Sequence, residues 1–223
     1  MLSCLFRLSV PRLKAVARIS RGQTKNIIME FFKNELYHLY NRGNNQQKIF
    51  FQPDNYIFFL KKVRRYVLPY CNILSYSLIP NHFHFLIHAD ERTIETKTIR
   101  DHAKNVLSEG IRLLLSSYTQ AINKQNKSSG SLFQQNTKAQ SIVKGSRNYD
   151  LTVFHYIHQN PYRANLVGRM EDWEFSSFKD YCGQRDGTLC NKELAIKLLG
   201  LNMKTFYEDS YRAIGIDVIN DIL

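Results

Sequence analysis

Two short stretches carry side chains whose types and spacing suit chemistry. In "NHFHFLIH", residues 81–88, His82 and His84 lie one residue apart in an apolar run that His88 closes. Alternate residues of a strand share a face. Phe83, Phe85 and Ile87 therefore point into a core, and His82, His84, Leu86 and His88 point the other way. Two neighbouring neutral imidazoles are good ligands for one divalent transition ion. Polar residues on an open sheet face would give the same pattern. A structural zinc site is not expected, because no cysteine or third histidine lies at finger-like spacing. The second stretch is "FHYIHQNP", residues 154–161. On a helix, Tyr156 and Asn160 are four apart and share a face, away from the apolar stripe of Val153, Phe154 and Ile157. A hydroxyl nucleophile beside an amide oxygen able to ligate metal suits attack on a phosphodiester, the phenolate displacing the 3′-oxygen in line. The plainer reading is a tyrosine that packs.

These residues need elements to position them. "ELYHLYNRGNN" alternates as a strand over Leu36–Tyr40, ended by Gly43 and two asparagines. A helix follows, with Asp54 as N-cap, a stripe of Ile57, Phe58, Leu60, Val63 and Val67, and Pro69 at its end. "CNILSYSLIPNHFHFLIHA" reads as two strands joined at Pro80-Asn81. Residues 98–123 carry apolar residues every three or four positions and predict a long helix. After the polar loop "NKQNKSSGS", "LFQQNTKAQSIV" predicts a fourth strand, and "NYDLTVFHYIHQNP" a helix closed by Pro161. "WEFSSFKDY" reads as a short helix or irregular segment, and residues 190–212 as one or two further helices. The order predicts an α+β fold, a split βαβ antiparallel sheet with helices on one face. The strands of 70–88 are joined too tightly for a parallel crossover.

The 223 residues suit one domain with appendages. Lys and Arg number 31 against 19 Asp and Glu, a net charge of +12, so a polyanion is the expected partner, nucleic acid before an acidic membrane surface. The 13 Tyr and 14 Phe suit base stacking as well as core filling. Cys4, Cys71, Cys182 and Cys190 form no CxxC pair, which fits reduced thiols in a cytosolic protein. No apolar run approaches the roughly 18 residues a bilayer requires. Residues 1–28 hold six basic residues and no acid: a transit peptide, a basic arm, or an extension upstream of a start at Met29. The expected division is this extension, a catalytic domain over 29–183, and a helical tail over 184–223.

Taken in order, "YHLYNRGNN", "YSLIPNHFHFLIH", "SLFQQNTKAQSIV", "YIHQNPYRANLV" and "WEFSSFKDYCG" resemble the IS200-like, single-tyrosine transposases of the HUH nucleases (histidine, hydrophobic residue, histidine), and within them the REP-associated tyrosine transposase branch. The resemblance covers about residues 33–182. It implies a ferredoxin-like antiparallel sheet, His82, His84 and Asn160 as metal ligands, and Tyr156 as a nucleophile that becomes linked to a DNA 5′-phosphate. It further implies Mg²⁺ or Mn²⁺, a single-stranded DNA substrate folded into a hairpin, no small-molecule cofactor, no membrane partner, a bacterial cytoplasmic setting at the nucleoid, and a monomer or homodimer. Arg42, Lys138 and Arg163 are DNA-contact candidates, Arg42 and Arg163 alternatively structural ion pairs, and Lys138, His155 and His158 are also possible helpers at the phenol. Trp173 and Phe178 read as packing anchors, and the tail around Gly200 has a faint helix-turn-helix look. The competing readings are an RRM-like module that binds nucleic acid without cutting it, a domesticated repeat-binding descendant, and a metal hydrolase using water.

Overall fold

The computed structural model describes residues 29–99, 101–142, 149–212 and 214. The expectations for residues 1–28 lie outside the described residues. Strand β1 (Leu36–Arg42) leads through helix α1 (Pro53–Tyr66) to the hairpin of β2 (Asn72–Ile79) and β3 (His82–His88). A short turn α2 (Glu91–Ile94) and a hairpin of β4 (Thr96–Ile99) and β5 (His102–Asn105) precede the long α3 (Val106–Asn126) and β6 (Lys138–Ile142). Helix α4 (Tyr149–Arg163) follows, then α5 (Phe178–Tyr181), α6 (Lys192–Leu199) and α7 (Phe206–Tyr211). The main sheet is antiparallel in the order β2-β3-β1-β6, the ferredoxin-like arrangement of a split βαβ chain.

Alternation in β3 sorts the two faces. Phe83 and Phe85 enter a core with Phe59 of α1, Tyr118 of α3 and Phe133. Helices α1 and α3 thus lie together on one face of the sheet, and α4 adds a third layer on the opposite, histidine-bearing face. On that face β2 presents Ser75 and Ser77, which pair with Leu86 and His84 and are fully buried. Small side chains there let α4 settle close to the sheet. The free edge of β2 is closed by the segment around Phe175: the Leu78 N–H bonds to its carbonyl, and the Trp173 indole N–H bonds to the Leu78 carbonyl at 2.9 Å. Covering an edge in this way removes a template for aggregation.

Several boundaries differ from the sequence reading: β1 runs on to Arg42, the fourth predicted strand is confined to Lys138–Ile142 among the described residues, and three further differences have a local cause. Helix α1 is capped by Gln52 rather than Asp54. Pro53 accounts for this: it lacks the N–H that a first helical residue does not need and sets a helical φ. Asp54 then falls in the first turn, where its charge suits the helix dipole. Residues 98–99 and 101–105 do not start the long helix but belong to the β4–β5 hairpin, with Thr98 opposite Ala103 and Asp101 in a left-handed conformation at φ 65°. Asn105 starts α3 by accepting the Ser108 N–H at 2.9 Å. Helix α4 passes through Pro161 to Arg163. The proline removes one hydrogen bond near the helix end, and the turn beyond it is closed by Ala164 N–H to Asn160 O and Leu166 N–H to Pro161 O.

Helices α6 and α7 do not stand apart from the domain. Phe206 of α7 is buried against Phe154 of α4 and against Phe178 and Tyr181. Gln159 donates to the carbonyls of Ser210 and Arg212, both at 2.8 Å. Gly200, with φ 64°, ends α6 in the left-handed conformation that glycine adopts cheaply. Among the described residues no helix is long and apolar enough to cross a membrane.

Gly110 brings α3 against the end of α1: a Cβ there would stand 2.0 Å from the Tyr66 carbonyl oxygen. Gly110→Ala gains up to about 1 kcal/mol in helix propensity but forces two backbones apart, at about 1–3 kcal/mol. The expected outcome is a lower urea midpoint with an unchanged slope. A midpoint at or above wild type would mean that α1 and α3 separate freely.

Candidate active site

The pairing of β1 with β3 and the docking of α4 bring four predicted site residues together. His84 is fully buried and His82 half-buried, their rings perpendicular with centroids 4.8 Å apart. Tyr156 is 5 % exposed, its ring edge-on to His84 at 5.9 Å between centroids. Asn160, 6 % exposed, places Oδ1 3.2 Å from His82 Nε2, and it lies one helical turn after Tyr156, whose ionised form its amide favours. The carboxamide of Asn160 therefore meets His82, and the Tyr156 ring meets His84, across one helix–sheet contact.

The protonation of the histidines follows from burial. Desolvation pushes His82 down to about 4, with Arg42 adding to the shift while the Asn160 contact opposes it. Desolvation, then the neighbouring His38, His82 and Arg42, hold His84 well below the usual imidazole range. Both are neutral at pH 7, the state that ligates metal. A neutral ring has one N–H, yet His82 faces an oxygen at each nitrogen: Asn81 Oδ1 at 2.7 Å from Nδ1 and Asn160 Oδ1 at 3.2 Å from Nε2. With the proton on Nδ1, serving the shorter contact, the Nε2 lone pair confronts the amide oxygen. Nε2 of His84 is buried with no hydrogen-bond partner. Lone pairs that confront one another or stand unmatched are what a cation satisfies, so these residues fit a metal. Among the described residues no three His, Cys, Asp or Glu side chains are placed to hold a metal ion between them, so such a site depends on the amide oxygen of Asn160 as third donor.

Tyr156 is pushed above its ordinary value by burial, while the Asn160 amide and the charges of Arg163 and Arg42 pull it back. The three predicted DNA-contact residues lie around this centre. Arg42 ends β1 opposite His82. With Lys138 it lines a recess of about 300 Å³ that also includes Tyr40, Asn41, Gln134 and Asn136. Arg163 is exposed on the last turn of α4. None of the three makes an ion pair among the described residues. His155 and His158, considered as helpers at the phenol, are instead engaged by Ser210 Oγ at 3.0 Å and Ser177 Oγ at 2.7 Å, in the packing of α4 against the segments that follow it.

Sequence reasoning missed two residues. His38 of β1 places Nε2 2.8 Å from His84 Nδ1, and Tyr40 lies 4.6 Å from the His38 ring and 5.7 Å from that of His84. The period-two pattern of β1 was the available signal, since it sets His38 and Tyr40 on one face; which strand they would face depended on the register.

The depressed histidines tie stability to pH. His82 and His155 are both held at about 4 when folded, chiefly by burial, against 6.5 when exposed. Below pH 6.5 the unfolded chain therefore binds more protons than the folded one, and stability falls as pH drops towards 4. The expected loss is roughly 1 kcal/mol per histidine by pH 5.5, with His84 and His158 acting in the same direction. Urea midpoints at pH 7.5 and 5.5 measure it; equal midpoints would contradict neutral burial.

No family model matches the chain, and no curated protein is similar to it in sequence. Its fold is similar to that of a solved structure, a REP-associated tyrosine transposase bound to a REP hairpin, with a TM-score of 0.52 and 16 % sequence identity over 74 % of this chain and 87 % of that one. At that identity the likeness is one of fold alone: an antiparallel sheet with flanking helices.

Proposed function

We propose that the protein is a metal-dependent nuclease and strand transferase, a transposase acting on single-stranded hairpin DNA through Tyr156. The observation that carries this reading is the convergence of four side chains: Asn160 Oδ1 lies 3.2 Å from His82 Nε2, the His82 and His84 rings lie 4.8 Å apart, and the Tyr156 ring lies 5.9 Å from that of His84. In a purely structural cluster nothing requires a phenol, an amide and two neutral imidazoles to converge. One copy of the chain supplies all four side chains, which suits a monomer as the active unit. The similar structure was solved with a hairpin, and the net charge of +12 favours a polyanion.

His82, His84 and Asn160 would hold Mg²⁺ or Mn²⁺, and the nitrogen-rich donor set favours Mn²⁺. The ion's contribution when bound is to polarise a non-bridging phosphate oxygen. The chain's own residues do the rest. Tyr156 Oη attacks phosphorus, the bond to the 3′-oxygen breaks, and the phenol proton ends on the departing 3′-hydroxyl. The amide of Asn160 and the charges of Arg42 and Arg163 favour the phenolate against the burial that disfavours it. Arg42 and Lys138 in the recess bind phosphates of the strand. The phosphotyrosine bond conserves the energy of the broken one, so a second 3′-hydroxyl can reverse the step without a nucleotide cofactor.

An RRM-like binding module needs aromatic residues on an open sheet face. Here α1 and α3 fill one face, and α4 covers the histidines and Tyr40 of the other. A water-activating hydrolase would leave Tyr156 without a task.

With end-labelled hairpin DNA and Mn²⁺, wild type is expected to carry label through denaturation and Tyr156→Phe is not; equal labelling would remove Tyr156 from the chemistry. His82→Ala should lose cleavage by at least roughly 100-fold while keeping most hairpin affinity, since phosphate contacts supply most of it. Cleavage that survives chelation of divalent ions would sink the metal's role.

A further inference from the structure

His84 is fully buried, and only one of its two ring nitrogens meets a partner. That partner is another histidine. His38, 1 % exposed, places Nε2 2.8 Å from His84 Nδ1. The two rings are tilted by only 15° with centroids 5.0 Å apart, so they meet end to end in nearly one plane, as a linear N–H···N bond requires. Register explains the meeting: His38 pairs with Leu86 and Tyr40 with His84, so His38 reaches His84 on the diagonal, on the same face. The ring of Tyr40 lies within 29° of both imidazole planes and limits their rotation.

The proton between these rings has two arrangements. If His38 donates, His84 carries its own hydrogen on Nε2, where a buried N–H has no acceptor, a costly state. If His84 donates from Nδ1, the unmatched atom is a bare Nε2 lone pair, on a ring whose centroid lies 4.8 Å from that of the metal-ligand candidate His82. We infer that His38 is a positioning residue that accepts the His84 Nδ1–H, locking His84 in the tautomer and orientation that present Nε2 to a divalent cation. This rests on the metal-dependent reading of the site. It concerns which nitrogen holds a proton, not a change of charge. Orienting partners of this kind commonly set metal affinity by one or two orders of magnitude.

Two measurements test the assignment. Long-range ¹H–¹⁵N NMR of the metal-free protein should find His84 protonated at Nδ1 and bare at Nε2. The opposite tautomer in wild type would overturn the assignment whether or not metal binds. Calorimetric Mn²⁺ titrations should then find His38→Leu, which has no acceptor, weakened roughly 10- to 100-fold, with metal-free hairpin affinity unchanged. His38→Gln, whose amide oxygen can accept the same N–H, should recover most of the loss. Wild-type Mn²⁺ affinity in His38→Leu, or a folded His38→Gln no better than His38→Leu, would remove His38 from the site. If wild type and His82→Ala both fail to bind Mn²⁺ while the tautomer is as expected, the metal-dependent reading fails and the positioning bond stands.

Discussion

The site depends on the docking of α4 across the histidine face of the sheet. Four strands alone would leave His82 and His84 on an open surface, and α4 alone would carry Tyr156 and Asn160 on an unattached amphipathic helix. Contact between them buries His84, Tyr156 and Asn160 and half-buries His82. Ser75 and Ser77 leave room for that approach, because larger side chains at those positions of β2 would hold the helix away. From outside, the C-terminal segments grip α4 through Phe206, Ser210 and Ser177. The two faces of one helix thus divide their tasks, one carrying the candidate chemistry and the other anchoring it.

Burial creates an electrostatic balance at this contact. It keeps the imidazoles neutral and able to donate lone pairs, and it makes the phenol reluctant to ionise. The compensating groups, Asn160, Arg42 and Arg163, are supplied from two elements, the end of β1 and the end of α4. A cation and a phosphate entering this place would each meet the charge the buried side chains lack, a cation at the nitrogen lone pairs and an anion at the guanidinium groups. A protein built only to hold DNA has little reason to bury neutral histidines under a helix, since phosphate binding is served by exposed Lys and Arg.

Sequence by itself determined the ingredients and their local order. Alternation in "NHFHFLIH" placed Phe83 and Phe85 opposite His82 and His84, and the four-residue spacing set Tyr156 and Asn160 on one helical face, because the periods of strand and helix are local properties of the backbone. The split βαβ order was legible for the same reason. Local signals also misled. Apolar spacing across residues 98–105 matched a helix, yet Asp101 in a left-handed turn and Asn105 as a cap made a hairpin of it. Pro161 read as a stop, although a helix near its end loses only one bond to a proline. Tertiary structure alone decided which strand β1 would pair with, hence that His38 meets His84. It alone decided that α4 lies over the histidines and that His155 and His158 turn away to serines, because register and packing join residues 19 to 78 positions apart, beyond the reach of any local period.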